Sequence, residues 1–146
     1  MTNNNKSTII EDISETASKM VEIIVNSDYV VAMTGAGMSV ESGIPTFRGE
    51  GGLWTQYGEP SMDGFKRFKA DPKGWWYKEL NRQMDEYIIH LREALCRAQP
   101  HRGHMALSEL QKIGVINHVI TQNIDGLDLK AGLKNITEIH GNRSRL

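Results

Sequence analysis

The chain has 146 residues, of which 39% are hydrophobic and 24% charged, with a formal net charge of −1. A single domain of this length hides about two thirds of its unfolded surface, so a packed core is within reach and disorder is excluded for most of the chain. Acidic and basic residues are interspersed, without the concentrated basic field that a nucleic-acid surface requires.

Residues 1–6 are polar and lack the apolar stretch of a signal peptide. They read as a flexible tail, with one domain over residues 7–146. Ile9, Ile13, Ala17, Met20 and Ile24 then recur at spacings of three and four, which predicts one apolar helix face. Thr8 and Glu11 fit a capping box at its start, and Asn26-Ser27-Asp28 fits its stop. Plain core packing is the expected use of that face.

Tyr29–Met33 is a short apolar run that predicts a strand buried on both faces, as in a parallel sheet. Gly35-Ala36-Gly37 follows at once, and a glycine turn at the carboxyl end of a parallel strand is where α/β folds bind ligands. By itself the turn is equally consistent with no ligand. Residues 41–60 keep no helix or strand period, yet Phe47, Leu53 and Trp54 need somewhere to pack, so an ordered functional loop is expected.

Residues 61–98 read as helix, broken near Asp71-Pro72. Trp75, Trp76, Leu80, Met84, Ile88, Leu91 and Leu95 give the second half an apolar side. Cys96, the only cysteine, excludes an internal disulfide and a four-cysteine zinc site. Residues 104–113 predict a shorter helix ended by Gly114. Val115–Ile120 and Asn135–Ile139 predict two more strands, and strand–helix–strand order implies parallel pairing with right-handed crossovers. The fold class is therefore α/β. No segment approaches the roughly 20 apolar residues of a membrane span, and the expected location is cytoplasmic.

The glycine turn departs from the ordinary dinucleotide fingerprint. Val40 stands where a third glycine or alanine belongs, and Gly43 and Pro45 interrupt the helix that should follow. An ordinary NAD dehydrogenase is disfavoured for that reason. The stretch from Gly35 to Gly49, GAGMSVESGIPTFRG, instead closely resembles the first signature of sirtuins. Thr121-Gln122-Asn123-Ile124-Asp125-Gly126-Leu127 resembles the second. Ile139-His140-Gly141 resembles the third, which carries the family's catalytic histidine. The three stand in family order over roughly residues 10 to 146, and Pro100, His104 and Leu107 look like the helix preceding the second.

The residue chemistry runs alongside. Arg48 is a fixed cation on a glycine-flanked loop, suited to a diphosphate, with a plain surface arginine as the lesser reading. Phe47 can cover a flat ring or shield a reactive ribose carbon, or simply pack the loop. Gln122, Asn123 and Asp125 can grip ribose hydroxyls and a carboxamide, or serve as local hydrogen bonders of a turn. His140 is of the residue type most used for proton transfer and can reach the same crevice. The other histidines, His90, His101, His104 and His118, have no comparable setting and read as structural.

The resemblance implies a partial Rossmann-like sheet flanked by helices, with a helical insertion and a cofactor-binding loop. It implies an NAD-dependent protein lysine deacylase. In such enzymes NAD is consumed: the acyl oxygen of a modified lysine attacks the nicotinamide ribose, yielding nicotinamide, free lysine and O-acyl-ADP-ribose. His140 is then the general base on a ribose hydroxyl. Gly35, Ala36, Gly37, Ser39, Val40, Ile44, Pro45, Phe47, Arg48 and Trp54 line the dinucleotide. Gln122 and Asn123 hold ribose and an ordered water, and Ile124 and Asp125 hold the carboxamide.

Thr46 stands where many members have Asp, a version shared with the desuccinylase branch and bacterial relatives. That branch places a tyrosine and an arginine on the following helix, and a rough alignment puts Glu79 and Arg82 there. Glu79 would repel a succinyl carboxylate, so acetyl or another neutral acyl group is expected. The partners implied are acylated lysines of proteins, without nucleic acid or membrane.

Asn142–Leu146 looks like the residues before the family's first zinc-binding Cys-x-x-Cys. No such motif occurs here, so zinc is expected in the full-length domain but no metal ligand in this chain. The expectation is a nicotinamide-side half without the zinc module and the last strands, weakly active or inactive alone. The other reading is a non-catalytic NAD or ADP-ribose binder, or an interaction fragment.

Overall fold

Three strands form a parallel sheet in the order β1 (Val31–Thr34), β2 (His118–Thr121), β3 (Ile136–Glu138). Ala32 stands beside Val119 and Val119 beside Ile136, so these side chains share one face; Met33, Ile120 and Thr137 share the other. The computed structural model describes residues 3–81 and 85–144, with side chains from residue 13. The side chains of Thr8, Ile9 and Glu11, and all of Arg82, Met84, Arg145 and Leu146, lie outside the described part of the structure, and since the first helix already runs from Asn3, Thr8 does not cap its start.

The chain opens on helix α1 (Asn3–Val25). Residues 3–6 are helical as well, and nothing in the sequence breaks the helix there: no glycine or proline precedes residue 35. After β1 comes a 3₁₀ helix over Ala36–Ser42, then α2 (Leu53–Tyr57), α3 (Gly64–Ala70) and α4 (Pro72–Asn81). The predicted break at Asp71-Pro72 separates α3 from α4. A further helix, α5 (Glu86–Arg97), is followed by α6 (Arg102–Lys112), and α7 (Leu127–Lys130) joins β2 to β3.

Alternation decides where the core sits. Ile116, Val119 and Leu133 are buried together, packed by Val30, Ala32, Ile136 and by Leu107 and Leu110 of α6. Gln111 on α6 fastens the entry to β3, accepting from the amides of Lys134 (2.8 Å) and Asn135 (3.1 Å). A second cluster of Ile44, Ala98 and Leu127, backed by Leu91 and Leu95 of α5, lies beside the loop after the 3₁₀ helix.

The segment expected to be an ordered loop contains the short helix α2 and is tied by its own backbone. Leu53 is fully buried, and the amides of Leu53 and Trp54 donate to the carbonyls of Thr46 and Phe47, each at 2.8 Å. Gly52 makes this return possible: a Cβ there would stand 2.8 Å from the Phe47 carbonyl oxygen.

Three expectations about burial fail. On β1, Val31 and Met33 are exposed, because one sheet face has no covering helix among the described residues. On α1, Ile13, Met20, Val21, Ile23 and Val25 are all more than half exposed, so the periodic stripe does not enter the core. On α4, Trp76 and Leu80 face outward, and only the α5 part of the predicted apolar side packs inward.

Candidate active site

Parallel pairing puts three loop starts at one end of the sheet: Gly35 after β1, Gln122 after β2 and Ile139 after β3. The strand ends are tied there by Thr34, whose hydroxyl donates to that of Thr121 at 2.8 Å, both side chains buried.

A chain of hydrogen bonds joins the first two loops. Asn123 Nδ2 donates to the Gly35 carbonyl (3.0 Å) and to Ser39 Oγ (3.2 Å). Ser39, almost fully buried, donates in turn to Asp125 Oδ2 at 2.7 Å. Asp125 Oδ1 accepts from the Leu127 amide at 2.9 Å, which starts α7. Asp125 therefore makes one local turn bond, to Leu127, whereas the side chain of Asn123 bonds across the two loops. Each carboxylate oxygen has a second lone pair, so Asp125 keeps the capacity to accept from an amide NH2.

Above this network lies a cleft of about 350 Å³, within the usual range for small-molecule sites. Its lining combines Ala36, Ser39, Ile44, Pro45 and Phe47 from the first segment with Gln122, Asn123, Ile124 and Asp125 from the second and His140 from the third. His140 is exposed, in the turn directly after β3. Ten of the fifteen residues expected to hold NAD thus share one cleft.

The other five stand apart from that lining. Gly35 supplies its carbonyl to Asn123. Gly37 and Val40 sit on the outer side of the 3₁₀ helix, where a Cβ on Gly37 would meet open space and Val40 is about half exposed. Arg48 turns to Glu59 (2.6 Å) and lies 4.3 Å over the Trp54 ring, which also meets Phe47 at 5.1 Å between centroids. That ion pair is exposed, and such pairs contribute at most about 1 kcal/mol, so Arg48 is weakly held.

Leu91 and Leu95 also line the cleft. Their i, i+4 spacing predicts a shared face, but nothing local tells which loop that face meets. The reading of His104 as structural fits its full burial: its Nδ1 accepts from the His101 amide at 3.4 Å, and Nε2 has no partner. Asp128, also buried, lies close enough to interact with it. Burial pushes the His104 imidazole below its ordinary value, and the Asp128 charge opposes this. Burial pushes the Asp128 carboxyl up, against the His104 charge and a hydrogen bond with Thr121. Among the described residues no cluster of three or more His, Cys, Asp or Glu side chains is placed to hold a metal ion, and no helix is long and apolar enough to cross a membrane.

A parallel α/β fold with a ligand-sized cleft over its strand ends defines the class of open-sheet α/β ligand-binding proteins. Comparison with known families narrows this: the Sir2 family model matches residues 35–146, and the chain belongs to that family. An NAD-dependent protein deacetylase of Saccharolobus solfataricus is 45% identical over 127 residues, covering 87% of this chain and 47% of that protein. NAD-dependent protein deacylase 2 of Archaeoglobus fulgidus is 40% identical over 128 residues, covering 88% and 47%. The chain thus spans about half the length of these curated relatives. Among solved structures, a Sir2 homologue in complex with ADP-ribose superposes with a TM-score of 0.61 at 39% identity, over 85% of this chain and 46% of that one. A Sir2 complex with a deacetylated p53 peptide and 3′-O-acetyl ADP-ribose gives 0.63 at 32%, over 86% and 47%.

Proposed function

We propose that the full-length protein is an NAD-dependent protein lysine deacylase in which His140 is the general base. The observation that carries this is the common cleft: Phe47, Asp125 and His140, from three distant segments, line one cavity at the strand ends. The names of the similar deacetylases and deacylases support the same activity.

The donor set fits NAD. The 3₁₀ helix brings Ala36 and Ser39 to the cleft, with Gly35 tied to Asn123 and Gly37 and Val40 on its outer side, while Ile44, Pro45 and Phe47 supply apolar walls for flat rings. Asp125, with Ile124 beside it, offers an acceptor for a carboxamide NH2, and Gln122 and Asn123 offer amides for ribose hydroxyls and a water. Arg48, with Trp54 beneath it, is the cation for the diphosphate, in competition with Glu59. NAD, when bound, supplies a nicotinamide–ribose bond that is broken as the acyl oxygen of the substrate lysine attacks. Phe47 keeps water from that carbon. His140, at the open side, takes a proton from a ribose hydroxyl, a role worth about 10²–10⁴-fold in rate.

The substrate class is an acylated lysine on a protein. An acetyl or other neutral acyl group suits the site, since the described lining carries no lysine or arginine to meet the free carboxylate of an acidic acyl group. Glu79 does not supply that selection, because it lines a separate groove with Arg67 and Lys78.

The test is to incubate full-length protein with NAD and an acetyl-lysine peptide and to follow nicotinamide and deacetylated peptide. Both should form in equal amounts, and His140→Tyr should abolish formation of the deacetylated peptide. NAD binding without nicotinamide release would instead mark a non-catalytic NAD binder, and NADH would mark a dehydrogenase.

A further inference from the structure

His101 bonds to two parts of the molecule, the start of α6 and the 3₁₀ helix. It is the N-cap of α6: its Nδ1 accepts from the Gly103 amide at 2.9 Å. Its Nε2 meets the Met38 carbonyl oxygen at 2.5 Å, across 63 residues of sequence. A carbonyl can only accept, so Nε2 carries the proton and Nδ1 does not. One neutral tautomer satisfies both bonds. Glu41 Oε2 also stands 3.3 Å from Nδ1, but an ion pair there would need a proton on the nitrogen that caps the helix.

The local sequence makes room for this arrangement. A Cβ on Gly103 would lie 2.6 Å from His101 Cε1 and 3.1 Å from the Met38 terminal methyl. The ring is mostly buried, its side chain 17% exposed, and stacks edge-on against His104 at 4.5 Å between centroids. On its far side the 3₁₀ helix is held by Asn123 and Asp125, through Gly35 and Ser39. Met38 sits between those two anchor points, and its amide donates to the Gly35 carbonyl at 2.9 Å.

We propose that His101 is a positioning residue for the cofactor loop: through Met38 it fixes the 3₁₀ helix that presents Ala36 and Ser39 to the cleft, in addition to capping α6. This rests on the NAD-dependent reading of the cleft. A helix cap alone needs only the Nδ1 contact, and a short acceptor such as asparagine makes it equally well. The second contact needs the reach of the imidazole.

That difference gives the experiment, done on the full-length protein. His101→Asn keeps a cap acceptor and loses the reach to Met38; His101→Ala loses both. Thermal unfolding reads the cap, and the KM for NAD against that for acyl peptide reads the loop. His101→Ala should lower Tm by about 3 °C and raise the NAD KM about threefold to tenfold, as for one lost hydrogen bond. His101→Asn should recover most of the Tm while the NAD KM stays raised, with the peptide KM unchanged in both. Gly103→Ala, which displaces the ring while leaving the histidine, should also raise the NAD KM. Wild-type NAD KM in His101→Asn, or a KM that only follows Tm, overturns the proposal. Should any variant unfold, calorimetric NAD binding by the remaining ones decides by the same criterion. A wild-type protein that binds NAD but releases no nicotinamide sinks the deacylase reading alone, and the affinity ratios among the variants still test His101.

Discussion

The two ends of β1 contrast sharply. At its carboxyl end, Thr34, Gly35, Ser39, Asn123 and Asp125 are joined in one hydrogen-bonded network, and the residues around it form a cleft. On the flank that leads into it, α1 and the outer face of β1 present Ile13, Met20, Val31 and Met33 to solvent. Both regions carry clear sequence patterns. The first pattern names specific partners, since an amide, a hydroxyl and a carboxylate at fixed spacings satisfy one another. The second says only that one face is apolar, and an apolar stripe carries no address for what covers it.

Substitutions should respect that contrast. Leu53→Ala, which empties a fully buried position beneath the cleft loop, should cost about 2–5 kcal/mol of unfolding free energy in denaturant titration. A loss below 1 kcal/mol would mean that the loop is not anchored there. Acidification should follow with a smaller effect. Above its ordinary value of 6.5, His104 is neutral in both folded and unfolded chains, and its stabilising state is fully present. As pH falls below 6.5 the unfolded chain gains a proton that the buried ring resists, so stability drops until the lowered folded-state pKa is passed. Asp128 acts oppositely and in a window opening at 3.8: stability is full below that value and declines as pH rises towards its raised folded-state pKa. Chemical denaturation between pH 7.5 and about 5.5 should therefore show a decline that His104→Gln flattens. An unchanged slope would remove His104 from the account. The smallest effect belongs to the flank: Met20→Ser should change stability by no more than about 0.5 kcal/mol, and a loss of core size would show that α1 packs after all.

The same contrast explains what could be read in advance. The three strands, the Asp71-Pro72 break and the gathering of Ala36, Phe47, Asn123 and His140 followed from short-range pattern and from motif resemblance. The pairing of Arg48 did not: its charge suits a diphosphate, and nothing local in the sequence tells that Glu59, eleven residues on, meets it here. Leu91 and Leu95 were legible as a helix face and not as cleft wall, because their partners Ile44 and Leu127 are distant in sequence. The exposed side of β1 was misread for a related reason. Val31 and Met33 have strand propensity whether or not anything lies over them.

The central claim is convergence of three segments on one ligand. Hydrogen exchange of the full-length protein with and without NAD tests it most directly. Protection should appear together in the peptides that span residues 35–48, 121–127 and 139–141. Protection of the first two without the segment bearing His140 would contradict it.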